Sequence, residues 1–160
     1  MADSLNNPYF QSKYYQVIGN AKFEEKKYDD ALSYFSTALP IIKLTNAPFD
    51  IASCYLWLGI CKAYVKNFKA GRVYLDSAYA IALQSDYIHI RKDVYLNRYL
   101  LEKEAGNSAS SINYLDSFNV INDSLKLAAQ ADRIEFADAK YQAEKKEAQI
   151  KQLQFDKEIQ

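Results

Sequence analysis

A shift of 40 positions lays this chain upon itself. Tyr15, Tyr55 and Tyr95 coincide, as do Tyr34, Tyr74 and Tyr114, and Ile41, Ile81 and Ile121. Gly19 meets Gly59 and then Tyr99, while Phe35 meets Leu75 and Leu115. Ala38 meets Ala78 and Phe118, and Tyr28 meets Phe68 and Ser108. A fixed period of this length constrains the fold more than any other property of the sequence. Each unit is one piece of supersecondary structure that buries its apolar face only by stacking on the next.

Within a unit the spacing is helical. Tyr15, Ile18 and Gly19 share one face at i, i+3 and i+4, "EKKYDD" breaks the pattern, and Asp29 or Asp30 starts a second helix carrying Ala31, Leu32, Phe35 and Ala38. "KNFKA" supplies the same turn in the second unit and "AGNSAS" in the third, with Gly106 at the break and Ser108 as N-cap. The predicted helices span about 9–25, 29–46, 49–66, 69–85, 88–105 and 108–122. Pro48 suits the first turn of the third, and Pro40 predicts a bend in the second. Gly19 and Gly59 let the first helix of a unit approach the second, and Ala31 and Ala38 admit the partner's bulk.

Composition agrees. At 160 residues, 49% apolar and 25% charged, the chain can build one real core. Four glycines and three prolines leave few turn signals, which favours an all-α fold. A formal net charge of zero gives no electrostatic reason to bind nucleic acid or an anionic membrane surface. No apolar run is long enough to span a bilayer, and "MADSLNNPYFQSKYY" lacks the pattern of a signal peptide. Cys54 and Cys61 are seven apart on one helix, roughly 10 Å at 1.5 Å per residue, too far for a disulfide. They are expected to be free, buried thiols.

The spacing Tyr15–Ile18–Gly19–Tyr28–Ala31–Phe35–Ala38, repeated as Tyr55–Leu58–Gly59–Phe68–Gly71–Leu75–Ala78, resembles the tetratricopeptide repeat (TPR) signature. The resemblance covers residues 9–122. It departs from the family in its period, 40 and not the usual 34, and in the third unit, where Arg98, Tyr99, Ser108 and Ser111 replace small and apolar residues. It implies a right-handed superhelical solenoid of three helix pairs, about 9–46, 49–85 and 88–122, whose first helices line a concave groove. Carried onto this chain, the groove positions are Lys13, Gln16, Val17, Asn20, Phe23 and Glu24 in the first unit. The second gives Ser53, Leu56, Trp57, Ile60, Ala63 and Tyr64, and the third Asp93, Leu96, Asn97, Leu100, Lys103 and Glu104. Gln16 and Asp93 stand where a clamp for a carboxylate would want lysines. Leu56, Trp57, Ile60, Leu96 and Leu100 suit the apolar face of a peptide helix instead. Trp57 serves a groove or a core equally well.

From Leu125 to Gln160 the texture changes to Ala, Glu, Lys and Gln, reading as one helix of about 36 residues, roughly 54 Å long. In residues 123–160, Leu125, Leu127, Ala128, Ala131, Ile134, Ala137 and Tyr141 are expected to cap the array. Ile150, Leu153, Phe155 and Ile159 form a thin seam, open to pairing with a second copy as a coiled coil. "KQLQFDKEIQ" stops in mid-helix, as expected of a piece of a longer protein. Repeats followed by "KYQAEKKEAQIKQLQ" resemble the sensor region of Bacteroidetes-type membrane-bound two-component histidine kinases and regulators. That resemblance implies signal transduction, a membrane-anchored parent, and a place on the periplasmic side of the inner membrane, with the cytoplasm as alternative.

Chemistry is hard to find in the residues. His89 in "DYIHIRKD" lacks the partners of a catalytic or metal-binding histidine and is expected to cap or pack. "GNSAS" lacks the lysine of a phosphate loop, and the two thiols lack a nearby histidine or basic cluster to activate them. Glu24, Glu25, Asp29 and Asp30 are expected in solvent at the first turn. The expectation is therefore a non-enzymatic module without cofactor or metal. It would bind a protein or peptide and pass that event through its last helix to an output domain. A scaffold without signalling is the second reading, and an accessory domain of an enzyme the third.

Overall fold

A computed structural model describes residues 7–159. The described residues form six helices and no strand: α1 Pro8–Glu24, α2 Tyr28–Lys43, α3 Pro48–Tyr64, α4 Phe68–Gln84, α5 Ile88–Glu104 and α6 Ser108–Ile159. Consecutive helices pack on one another as an all-α repeat solenoid, and the last helix is long. The chain divides after Ile121 into two compact units.

The repeat is visible in the turns. Lys26, Lys66 and Gly106, each 40 residues from the next, have φ of 61°, 61° and 80°. Each lets the following N–H reach back over the end of the helix, Lys27 to Lys22, Asn67 to Lys62 and Asn107 to Glu102, at 2.9, 2.8 and 2.8 Å. Asn46 and Asp86 repeat a second left-handed turn, at φ 50° and 53°, between one unit and the next. Starts are set locally: the Asn7 side chain accepts from the Tyr9 N–H at 2.9 Å, and Pro48 occupies the first turn of α3.

Side chains repeat as well. Tyr15–Tyr34, Tyr55–Tyr74 and Tyr95–Tyr114 face each other at 6.5, 6.2 and 6.3 Å, with interplanar angles of 31°, 32° and 35°. The two helices of a unit approach at the glycines. A Cβ on Gly19 would meet the Phe35 ring at 2.9 Å, and one on Gly59 would meet Leu75 Cγ at 2.7 Å. Two apolar clusters result. Phe35, Ala38, Ile42, Cys54 and Leu58 hold α1–α3 together, and Leu56, Leu75, Ala78, Val94 and Leu101 hold α3–α5. Full burial of a Phe35 or Leu75 contributes about 1.5–3 kcal/mol each.

The third unit departs from the signature for a physical reason. Arg98 stands where Leu58 and Ile18 stand earlier, and it is buried. It pairs with Asp76 and lies 3.4 Å from Glu102, which also takes two bonds of 2.7 Å from Arg72 and one of 2.7 Å from Asn107. The Arg98 guanidinium also lies over the Tyr114 ring, 5.3 Å from its centroid. Packing by paired charges here replaces packing by aliphatic groups.

Three expectations are corrected. Ser108 is the first helical residue of α6 and not its cap. α2 ends at Lys43, short of the predicted 46, and Pro40 lies inside it. No break separates residue 122 from residue 125, since α6 continues from Ser108 to Ile159 with neither glycine nor proline in that span. Asn122, Asp123 and Ser124 are tolerated as helix. Beyond them Leu127, Ile134 and Tyr141 are exposed.

Candidate functional site

The first helices of the units, α1, α3 and α5, carry the positions expected to bind. Lys13 forms an ion pair with Asp50 at the start of α3, so its charge is already matched. Gln16 is buried and Asn20 half-buried one turn on; Gln16 Nε2 and Asn20 Oδ1 have no hydrogen-bond partner among the described residues. Phe23 meets Trp57 at 5.3 Å and Tyr64 at 5.1 Å, and Tyr28 stacks on Tyr64 at 4.5 Å. Trp57 lies parallel to Phe35, 5.7 Å away with 6° between planes. That contact places it with the core. Leu56 is buried beside Leu75 and Val94 and is not available to a ligand, a correction to its assignment as a groove residue. Its cluster draws on Leu75, Ala78 and Ala82 of α4 and Ile90, Val94 and Leu101 of α5, the side toward which Leu56 is turned.

Between α3 and α5 the surface opens into a cleft of about 310 Å³. Ile60, Ala63, Tyr64, Asn97, Leu100 and Leu101 line it, and Lys66 and Glu104, paired at 2.7 Å, sit at its edge. The bond from Lys66 holds the Glu104 carboxyl below its ordinary range. Ile60 is half-buried, while Tyr64 and Leu100 are 51% and 44% exposed, enough to offer apolar surface to a partner. Asn97 uses one donor within its helix, giving 2.8 Å to the Asp93 carbonyl. Asp93 and Leu96 are half-buried further along α5, where burial pushes the Asp93 carboxyl up against the weaker pull of Lys92 and His89.

The cleft brings Ile60, Tyr64, Asn97 and Leu100 together, and Lys13, Gln16 and Asn20 on α1 are not among its walls. Lys66 and Leu101 were not among the expected site residues. Lys66 belongs to the left-handed turn after α3 and Leu101 to the buried face of α5, and the packing of α5 beside α3 places both on the cleft.

Elsewhere the chemistry is quiet. His89 is exposed in the first turn of α5, whose N-cap Tyr87 makes no side-chain capping bond, so the expected capping or packing role is not found. Cys54 and Cys61 are free and buried, as expected, and burial pushes both thiols up to about 12. Cys54 donates to the Phe35 carbonyl at 3.4 Å. Glu24, Glu25, Asp29 and Asp30 are exposed, with Glu25 held down by Lys27 and Lys22. Among the described residues no three His, Cys, Asp or Glu side chains group to hold a metal ion, and no helix is long and apolar enough to cross a membrane.

On α6 the seam residues Ile150, Leu153 and Phe155 are exposed; the side chain of Ile159 lies outside the described residues. A second line was missed: Val120, Leu127, Ile134, Tyr141 and Phe155 are exposed and fall on one seven-residue spacing, with Ala148 completing it. Counting sevens back from Phe155 would have found it. No protein-family model matches the chain, and no curated protein matches it.

Proposed function

We propose that this chain is a TPR-like binding module that takes a peptide or protein segment on the α3–α5 face. The apolar cleft bounded by Ile60, Tyr64, Leu100 and Leu101 supports this reading, because its walls are held rigid by the core and its edge is polar. Binding energy comes from the desolvated apolar walls, and the Lys66–Glu104 pair selects partners with polar flanks. The residues enter no covalent chemistry. In a longer signalling protein, such as the sensor of a histidine kinase, the same event would bias the arrangement of the last helix.

Selection from a displayed library of random twelve-residue peptides tests the reading directly. Enriched peptides should bind residues 1–160 saturably, and Leu100→Glu should weaken them by roughly tenfold or more, since a charge would line an apolar wall. No enriched peptide, or binding indifferent to Leu100→Glu, contradicts it.

A second reading, self-association through α6, is supported by the exposed apolar residues at seven-residue spacing. Light scattering over a concentration series should then give a dimer for residues 1–160 and a folded monomer for residues 1–126. Two monomers would leave a binding scaffold with an unpaired helix.

A further inference from the structure

The junctions between successive units are related by the same 40-residue shift, yet they are filled differently. At the first, three rings meet: Phe23 of α1 lies edge-on to Trp57 and Tyr64 of α3, at 66° and 88°. Forty positions further on, those three places hold Ala63, Asn97 and Glu104. Each ring has given way to a side chain that is smaller or charged. α3 and α5 approach more closely than α1 and α3 do. The cleft of about 310 Å³ remains nonetheless, at the lower end of the range of about 300–1,000 Å³ typical of ligand sites.

Its other walls keep their apolar character. Ile60 stands where Asn20 stands in the first junction, Leu100 matches Ile60, and Leu101 matches Cys61. Tyr64 is present in both, once as the ring that Phe23 meets and once as a wall of the cleft. Protein interiors fill such space where they can, and at the first junction this chain fills it with its own Phe23. At the second the missing part is an aromatic ring.

We infer that the α3–α5 cleft is a pocket for one aromatic side chain of the bound segment, entering where Phe23 lies at the preceding junction. The inference rests on the reading of this face as a peptide-binding one and adds the residue that anchors the peptide. A ring fits for two reasons. It covers the faces of Ile60, Leu100 and Leu101 at once, and it offers Tyr64 the edge contact that Phe23 makes in the first junction. Branched aliphatic side chains do only the first. The Lys66–Glu104 pair at the edge stays solvated while the ring is buried, so polar residues on either side of the aromatic are accommodated.

The test uses residues 1–160 with ¹³C-labelled Ile and Leu methyl groups and two probes, N-acetylphenylalanine methylamide and N-acetylleucine methylamide. The phenylalanine probe should shift the methyls of Ile60, Leu100 and Leu101 saturably, with an affinity roughly fivefold or more above that of the leucine probe. Ala63→Phe supplies the missing ring from within and should abolish the shifts while leaving the helical circular dichroism and the unfolding midpoint no lower. Phe23→Ala should do the reverse and create a second site, reported by the fluorescence of Trp57, the one tryptophan. Equal response to both probes, or shifts that persist in folded Ala63→Phe, overturns the inference. Library peptides that bind this face but contain no aromatic residue overturn it too, and leave the peptide-binding reading standing. Absence of any binding peptide overturns both.

Discussion

Gly59 shows how one residue sets the spacing of two helices. A methyl group there would meet Leu75 Cγ at 2.7 Å and the Gly71 carbonyl at 3.2 Å, and the second of these is backbone. Gly59→Ala gains about 1 kcal/mol of helix propensity but forces α3 and α4 apart, an overpacking cost of about 1–3 kcal/mol. Net destabilisation is expected, read as a lower urea midpoint. Gly71→Ala meets a similar backbone neighbour, the Gly59 carbonyl at 3.3 Å, but should be milder, because its nearest obstacle is the terminal Leu101 Cδ1 at 2.8 Å and not a branch carbon like Leu75 Cγ. The Arg72–Glu102–Arg98 cluster makes a different prediction. The Arg72 bonds hold the buried Glu102 carboxyl below its ordinary value of 4.5. A depressed native pKa means stability that is complete above about 4.5 and lost as pH falls from there through the native value. Acid unfolding followed by circular dichroism should therefore steepen below that pH, and Glu102→Gln should flatten the slope while lowering stability at pH 7.

At the scale of the element, most of the fold was legible in the sequence. The 40-residue coincidences of Tyr, Gly and Ala gave six helices and their partners, because each helix buries one face at regular spacing. What they could not give was the turn geometry. Gly106, Asn46 and Asp86 are residue types that tolerate a left-handed φ, but Lys26 and Lys66 are not, and they take the same φ of 61° because the flanking helices impose it. Lys26→Gly should therefore relieve a conformational cost of about 1–2 kcal/mol while adding about 0.4–1 kcal/mol of unfolded-state freedom. A small rise in the unfolding midpoint is expected, and a fall would show that the lysine side chain matters more than its backbone. The continuous α6 was misjudged for a related reason. Asn122, Asp123 and Ser124 are loop formers by composition, but with no glycine or proline nearby the helix runs through them. Trp57 and Leu56 illustrate the limit at the candidate site. They are adjacent on a helix whose two sides both face protein, and periodicity alone cannot say which neighbour lies across from which.

At the scale of the whole chain, the repeats do not make equal surfaces. The first junction is closed by its own aromatic rings and the second is left open, so an array built by repetition acquires one distinct cleft. The most direct measurement is methyl NMR of the full chain during titration with a library-selected peptide. Saturable shifts at Ile60, Leu100 and Leu101, with Ile42 in the first core cluster and Ile150 and Leu153 on α6 unmoved at low occupancy, are the expected result. Shifts confined to Ile150 and Leu153, with the cleft methyls silent, would contradict the assignment and move the binding surface to the last helix.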